Sequence, residues 1–206
     1  MFIGVYNLAN FVTLLGLSSA VVACFAAASG AARLAMCMFL LAGLCAMFDG
    51  RIARGAGSRT RKEKVFGIQI DTVCDMVSFG LTPVIIVYFL GFKRWHDIAV
   101  YIIYASCAAI RLAYFNTQAI EETPDLNMKA FTGVPTPFSC IILPPLIIFG
   151  RLMQHRPLLV NLVTDVLILA VGIAFIINVR VKKLGIFESA LLIIFEAMCV
   201  TLLFVL

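Results

Sequence analysis

Charge is scarce in this sequence. Lys, Arg, Asp and Glu supply 13% of 206 residues, against 63% hydrophobic residues, and the mean hydropathy is +1.06. A soluble domain of this length buries a good core without needing so apolar a composition. Met1 to Asn10 carries no basic n-region and no small-residue cleavage site follows, so the first apolar run is expected to be a helix of the mature protein rather than a cleaved leader. The seven cysteines (Cys24, Cys37, Cys45, Cys74, Cys107, Cys140, Cys199) contain no CxxC and no Cys/His pairing at zinc spacing. They read as small apolar helix residues in a reduced setting. His96 and His155 are isolated and require no special role; Trp95 reads as an interfacial anchor. No linker, low-complexity tract or internal repeat divides the chain, so residues 1–206 are expected to form a single integral membrane domain.

What is present is a series of apolar runs: Leu8–Ala28, Leu34–Phe48, Ile68–Leu90, Ile98–Phe115, Val134–Phe149, Leu158–Ile177 and Ile186–Leu206. A helix needs roughly 20 apolar residues to cross the hydrocarbon core. The second and fifth runs fall short unless their polar ends lie at the interface. Segments of this length satisfy their backbone in lipid only as helices. The expected fold is therefore an all-α polytopic membrane bundle of six to seven transmembrane helices, with seven preferred.

Lys and Arg orient it. With seven spans and the loop after the second on the cytoplasmic side, that side holds Arg51, Arg54, Arg59, Arg61, Lys62, Lys64, Arg111, Lys129, Arg180, Lys182 and Lys183. The other holds Arg33, Lys93, Arg94, Arg151 and Arg156, a division of 11 to 5 that follows the positive-inside rule. The net charge of +5 is largely this bias, and the basic loop also suits anionic lipid headgroups. Because the basic residues sit in short loops between helices, no nucleic-acid partner is expected.

Against this background, Asp49-Gly-Arg-Ile-Ala-Arg54 followed by Gly67, Asp71 and Asp75 stands out. A charge at the bilayer centre costs about 2.5–3.5 kcal/mol even on the lenient insertion scale. Asp71 and Asp75 are four apart, one turn above another on a helix, with Gly67 a turn earlier on the same face. Asp49, Gly50, Ala53 and Arg54 repeat the mixture of acid, small residue and base on the preceding helix. Packing the two helices through small residues brings Asp49, Asp71 and Asp75 together near one interface. Three such carboxylates either pair with neighbouring arginines as structural ion pairs or share a divalent cation. Hard oxygen ligands suit magnesium, manganese or calcium rather than zinc. Arg54 beside them offers a planar fork to a phosphate.

Asp-Gly-x-x-Ala-Arg, a loop, then Gly-x-x-x-Asp-x-x-x-Asp resembles the signature of the CDP-alcohol phosphatidyltransferases, integral membrane enzymes that exchange CMP on a CDP-lipid for an alcohol. Phe66-Gly-Ile-Gln-Ile-Asp71, Asp75-Met-Val-Ser-Phe-Gly80, Arg111-Leu-Ala-Tyr-Phe-Asn116 and Phe131-Thr-Gly-Val-Pro-Thr-Pro137 are similar to the branch whose acceptor is serine. The resemblance covers nearly the whole chain and weakens after about Pro145. It implies an enzyme that transfers the phosphatidyl group of CDP-diacylglycerol to L-serine, giving phosphatidylserine and CMP, in the bacterial cytoplasmic membrane with its site facing the cytoplasm. It further implies Mg2+ or Mn2+ on Asp49, Asp71 and Asp75, and Asp75 as general base. Asn10, Thr13, Gly50, Ala53, Arg54 and Gly67 would bind the CDP-lipid, and Ser78, Arg111 and Asn116 the acceptor. Membrane lipids surround the protein, and a homodimer is implied.

The chain departs from the family pattern at two points. The loop between Arg54 and Gly67 holds twelve residues where eight is commoner, a change that costs little in closure entropy. Ala46 stands three residues before the Asp-Gly pair, where the family has a further metal-binding Asp. The alternatives are thus the same chemistry on another acceptor, glycerol 3-phosphate or inositol phosphate, or a CDP-lipid-binding protein impaired in turnover. In the last apolar run Glu188 and Glu196, eight apart and so on roughly one face, read as a helix or subunit contact, and Asp165 similarly.

Overall fold

The computed structural model describes residues 3–55, 59–122, 130–182 and 186–205. As expected, the chain is an all-α membrane bundle. Helix α1 (Leu8–Ala28) and α2 (Ala32–Gly55) form an antiparallel pair. Asn7 caps α1 by accepting from the Asn10 amide at 2.9 Å. At its other end the chain reverses over Gly30, at φ +80. Ala31 N–H reaches the Ala26 carbonyl at 2.8 Å and Gly30 N–H the Ala27 carbonyl at 3.0 Å, the paired bonds that close a helix over a left-handed glycine. Ala9, Ser19, Ala20 and Ala23 are buried, and a Cβ on Gly16 would sit 3.0 Å from Cys45 Cβ. Small residues let these two backbones approach closely.

The third span is one rod made of three pieces: α3 (Arg61–Asp75), a π-helical segment (Met76–Leu81) and α4 (Thr82–Phe89). It begins seven residues before the apolar run expected from sequence. Thr60 and Glu63 explain the early start, because each caps the other's amide. Its wide turn coincides with Pro83. Lacking an N–H, Pro83 leaves the Phe79 carbonyl without a donor one turn back; the buried Tyr104 hydroxyl donates to that oxygen at 2.8 Å.

Tyr104 belongs to α5 (Trp95–Thr117), which packs along α7 (Pro157–Ile176). There Gly172 leaves only 3.0 Å between its would-be Cβ and Tyr104 Cα. Helices α6 (Ser139–Leu152) and α8 (Ile186–Val205) pack on each other and against α2. Phe39, Phe79, Ile86, Tyr104, Leu143 and Phe175 form the centre of the core. Phe11, Phe25, Ile102, Leu162 and Ile194 point outward, as lipid-facing residues do.

Among the described residues, five helical spans are long and apolar enough to cross a membrane: Leu8–Ala28, Ala32–Ala53, Arg61–Phe89, Trp95–Ile120 and Pro157–Ile176. Two shorter apolar helices, Thr136–Leu152 and Leu191–Val205, occupy the fifth and seventh expected positions. The second span, short as an apolar run, reaches full length by carrying its polar end, Asp49 to Gly55, within the same helix. The protein is an integral membrane protein. One feature was not anticipated from sequence: β1 (Ala130–Thr132) and β2 (Arg180–Lys182) pair antiparallel, Phe131 opposite Val181. This small ladder ties the segment before α6 to the end of α7.

Candidate active site

The N-terminus of α1, the C-terminus of α2, the length of α3, the C-terminus of α5 and the N-terminal halves of α6 and α8 meet at one end of the bundle. They enclose a cavity of about 600 Å³. Asp49, Asp71 and Asp75 all line it, with Asn10, Thr13, Gly50, Ala53, Gly67 and Arg111. The two helices carrying the acids are thus brought together as the spacing predicts.

Several polar groups in this cavity are held by contacts within the fold. Asp49 is buried, 6% exposed, and accepts from the Thr13 hydroxyl at 2.8 Å; the same hydroxyl lies 3.1 Å from the Ala9 carbonyl. Thr13 therefore positions an acid in addition to lining the wall. Asn10 donates to the Val5 carbonyl at 2.8 Å, and its Oδ1 would lie 3.6 Å from a Cβ on Gly67. Asp75 lies at the start of the π turn, with the buried Thr136 hydroxyl at a long 3.5 Å. Widened turns of this kind re-aim side chains and recur at functional sites.

The carboxylates act on one another electrostatically, and Arg111 acts on Asp71 and Asp75. Neither Asp71 nor Asp75 makes a salt bridge among the described residues. Arg111 is 6% exposed, its guanidinium 5.3 Å from the Phe115 ring centroid, and its buried Nε has no hydrogen-bond partner. A buried donor left unpaired costs about 1–3 kcal/mol. At the mouth stand Arg51, Arg59 and Lys64. The sequence presented these as loop charge; the structure places them in the cavity wall.

The charged donors facing the acids' end of the cavity are carboxylates with threonine hydroxyls behind them, a set that fits a hard divalent cation. The three acids ring the space rather than meeting at a point. Among the described residues, the set whose ligand atoms all lie within 4.8 Å of one another is His96, Asp97 and Asp165, at the far end of the bundle.

Two expected acceptor contacts stand elsewhere. Ser78 is buried within the π segment and does not line the cavity. Asn116 turns away: it accepts from Thr72 at 2.7 Å and donates to Gln69 at 3.2 Å. It thereby fastens α5 to α3 behind the acids. The side chain of Arg54 lies outside the described residues. Ala46 lines the cavity, presenting a methyl group where a further carboxylate was expected.

Sequence reasoning missed Thr136 and Glu196. Thr136 sits in Gly133-Val-Pro-Thr-Pro137, part of a segment noted only for its family resemblance; Val134, Pro135 and Pro137 line the cavity. Glu196, expected at a helix or subunit contact, instead faces the cavity from α8 with Leu192 and Ile193. Spacing along α8 gave no signal of which helix it would face. The side chain of Glu188 lies outside the described residues.

Comparison with known proteins gives two findings. A family model described as CDP-alcohol phosphatidyltransferase matches residues 6–178. Curated relatives named CDP-diacylglycerol–serine O-phosphatidyltransferase are similar over part of the chain. The Saccharomyces cerevisiae protein is 33% identical over 103 residues, 48% of this chain and 36% of its own length. The Mycobacterium bovis protein is 31% identical over 111 residues, 53% of this chain and 37% of its own. The Methanocaldococcus jannaschii protein is 29% identical over 135 residues, 66% of this chain and 57% of its own. The chain thus spans between about a third and just over half of these relatives.

Proposed function

We propose, from the premise that this chain belongs to the CDP-alcohol phosphatidyltransferase family, that it transfers the phosphatidyl group of CDP-diacylglycerol to L-serine, releasing CMP. One observation carries the reading: a single cavity combines Asp49, Asp71 and Asp75, the buried unpartnered Nε of Arg111, and a mouth of Arg51, Arg59 and Lys64. The names of the relatives favour serine as the acceptor.

Asp49, Asp71 and Asp75 would hold the divalent cation, Mg2+ or Mn2+, which when bound neutralises the diphosphate and the departing CMP. Thr13 keeps Asp49 oriented. The basic mouth and Gly50, Ala53 and Gly67 receive the phosphates and the nucleoside, with Gly67 keeping the helix surface low. Arg111 binds the acceptor carboxylate through its guanidinium. Asp75 takes the proton of the serine hydroxyl as that oxygen attacks the lipid-side phosphorus. A new P–O bond forms, the P–O bond to CMP breaks, and CMP carries away the electron pair. The basic residues of this end, against Arg33, Lys93, Arg94, Arg151 and Arg156 at the other, support a site facing the cytoplasm; a bacterial membrane rests on the family resemblance alone. A homodimer rests on the family resemblance alone, and its mass in lipid nanodiscs tests it.

The test is CMP release from CDP-diacylglycerol with Mg2+ or Mn2+, supplying L-serine, glycerol 3-phosphate and inositol phosphate in turn. Release that is absent, or indifferent to serine, overturns the assignment. Asp75→Asn should abolish serine-dependent release while CDP-diacylglycerol still binds; normal turnover would remove Asp75 as base. The methyl of Ala46 in the cavity wall favours a second reading, a CDP-lipid-binding protein impaired in turnover. Ala46→Asp separates the two: a rate that rises from near zero supports impairment, whereas an already active protein refutes it.

A further inference from the structure

Among the described residues that line the cavity, Glu196 is a charged group to which the proposed reaction gives no role. It lies in the membrane-embedded part of α8, beyond the family match at residues 6–178. Among the described residues it makes no hydrogen bond or salt bridge, yet it faces the same space as Asp75 and Arg111. A carboxylate this far into a bilayer costs several kcal/mol unless something meets its charge. Helix α8 runs away from the mouth, so Glu196 lies one turn deeper than Leu192. Cys140, one turn beyond Thr136 on α6, lies within electrostatic reach of both Asp75 and Glu196. The carboxylate therefore stands on the inner side of the acids, away from the basic mouth.

The cavity so far supplies a base for a hydroxyl and a cation for a carboxylate. A serine bound by these two has one group left over, its ammonium. We propose that Glu196 binds the ammonium of the acceptor amino acid, and that its negative charge excludes anionic acceptors without an amine; this rests on the phosphatidyl-transfer reading above. Serine is then held at three points by Asp75, Arg111 and Glu196. An anionic alcohol such as glycerol 3-phosphate would gain Arg111 but meet an uncompensated carboxylate, which is how a site rejects as well as selects.

The experiment compares the wild-type protein with Glu196→Gln and Glu196→Asp in nanodiscs, measuring CMP release against L-serine, 3-hydroxypropionate (serine without its amine) and glycerol 3-phosphate. Losing a charge-assisted contact predicts a serine KM raised at least about tenfold in Glu196→Gln. The preference for serine over 3-hydroxypropionate should fall by a similar factor. The KM for CDP-diacylglycerol and the thermal midpoint should stay unchanged, and Glu196→Asp should recover part of the serine affinity. A structural role would instead shift CDP-diacylglycerol affinity and thermal midpoint together and leave the acceptor ratio intact. Either that pattern, or an unchanged serine KM, overturns the proposal. Serine-independent release by the wild type overturns the reaction itself and this inference with it, so the two failures are told apart in the wild-type arm.

Discussion

Gly133 is where the fold's support of the site is most exposed to a single methyl group. Its φ is +78, and a Cβ there would lie 2.5 Å from the Phe175 carbonyl oxygen and 3.6 Å from that of Ile177. Gly133→Ala therefore meets two costs. The left-handed backbone alone costs about 1–2 kcal/mol for a residue with a Cβ. Relieving the clash means moving the segment off the end of α7, which sacrifices the Gly133 N–H bond to Val179 at 2.9 Å and the longer Val134 N–H bond to Ala174 at 3.4 Å. Each is worth about 0.5–1.5 kcal/mol, for a total of about 2–5 kcal/mol. Gly30 provides the control, because its φ of +80 is nearly the same and nothing lies within 4 Å of its would-be Cβ. Gly30→Ala should show the backbone cost only. Reversible denaturant titration in mixed micelles measures both variants, and CMP release measures the consequence for the site. Gly133→Ala should also lose turnover, because Pro135, Thr136 and Pro137 move with it, whereas Gly30→Ala should retain it. Equal destabilisation by the two substitutions, or full activity in Gly133→Ala, would refute the reasoning.

Two further perturbations test how the acids and the anion anchor are held. Thr13→Val removes the 2.8 Å bond to the buried Asp49, and a bond to a charged group is worth about 1.5–3 kcal/mol. Apparent Mn2+ affinity, read by electron paramagnetic resonance, should fall by about tenfold or more, with Thr13→Ser close to wild type; equal behaviour of the two would show that the hydroxyl is not needed. Arg111→Lys keeps the charge but replaces the planar fork and its contact with Phe115. Serine KM should rise at least about tenfold with CDP-diacylglycerol KM little changed; a matching rise in both would assign Arg111 to the lipid phosphate instead.

Helix spacing alone indicated that the acids of α3 share one face, and they do line one cavity. Gly67, Asp71 and Asp75 repeat every four residues, and the cost of charge in lipid left few uses for them. The run Asp49 to Arg54 was equally readable because acid and small residue alternate on one turn. What spacing does not encode is which helix a side chain meets across the bundle. Asn116 sits beside Arg111 in sequence but bonds to Thr72 and Gln69 on α3. Ser78 is three residues from Asp75 but falls where the π turn shifts the helical register, so the 3.6-residue period no longer predicts its direction. Glu196 faces the cavity because α8 packs against α2 and α6, a tertiary choice made by neighbouring apolar surfaces. The β1–β2 ladder escaped for a related reason: three-residue strands carry no periodicity, and their pairing joins segments fifty residues apart in sequence.

The sequence left open whether the three acids are structural ion pairs or a ligand site, and the other end of the bundle supplies the comparison. There Asp97 is fully buried at the start of α5, and Asp165 is largely buried in α7. Arg94 bridges them, reaching Asp97 and, at 2.9 Å, Asp165, with His96 alongside, while Asp165 Oδ1 is buried without a hydrogen-bond partner. The Asp97 carboxylate also accepts the Arg94 amide at 2.8 Å. Coulomb attraction to the buried acids holds the Arg94 guanidinium above its ordinary pKa range, with the hydrogen bond to Asp97 as the main cause. That is how this chain satisfies acids whose role is to join helices. Asp71 and Asp75 are treated differently. They have no salt-bridge partner among the described residues, their nearest cation leaves its own Nε unpaired, and all three groups face a cavity rather than a helix interface. Within one protein, the same residue type is neutralised internally at one end and left for an incoming charge at the other. The contrast favours a ligand site over structural pairing for the acids of α3, and it does so without reference to any relative.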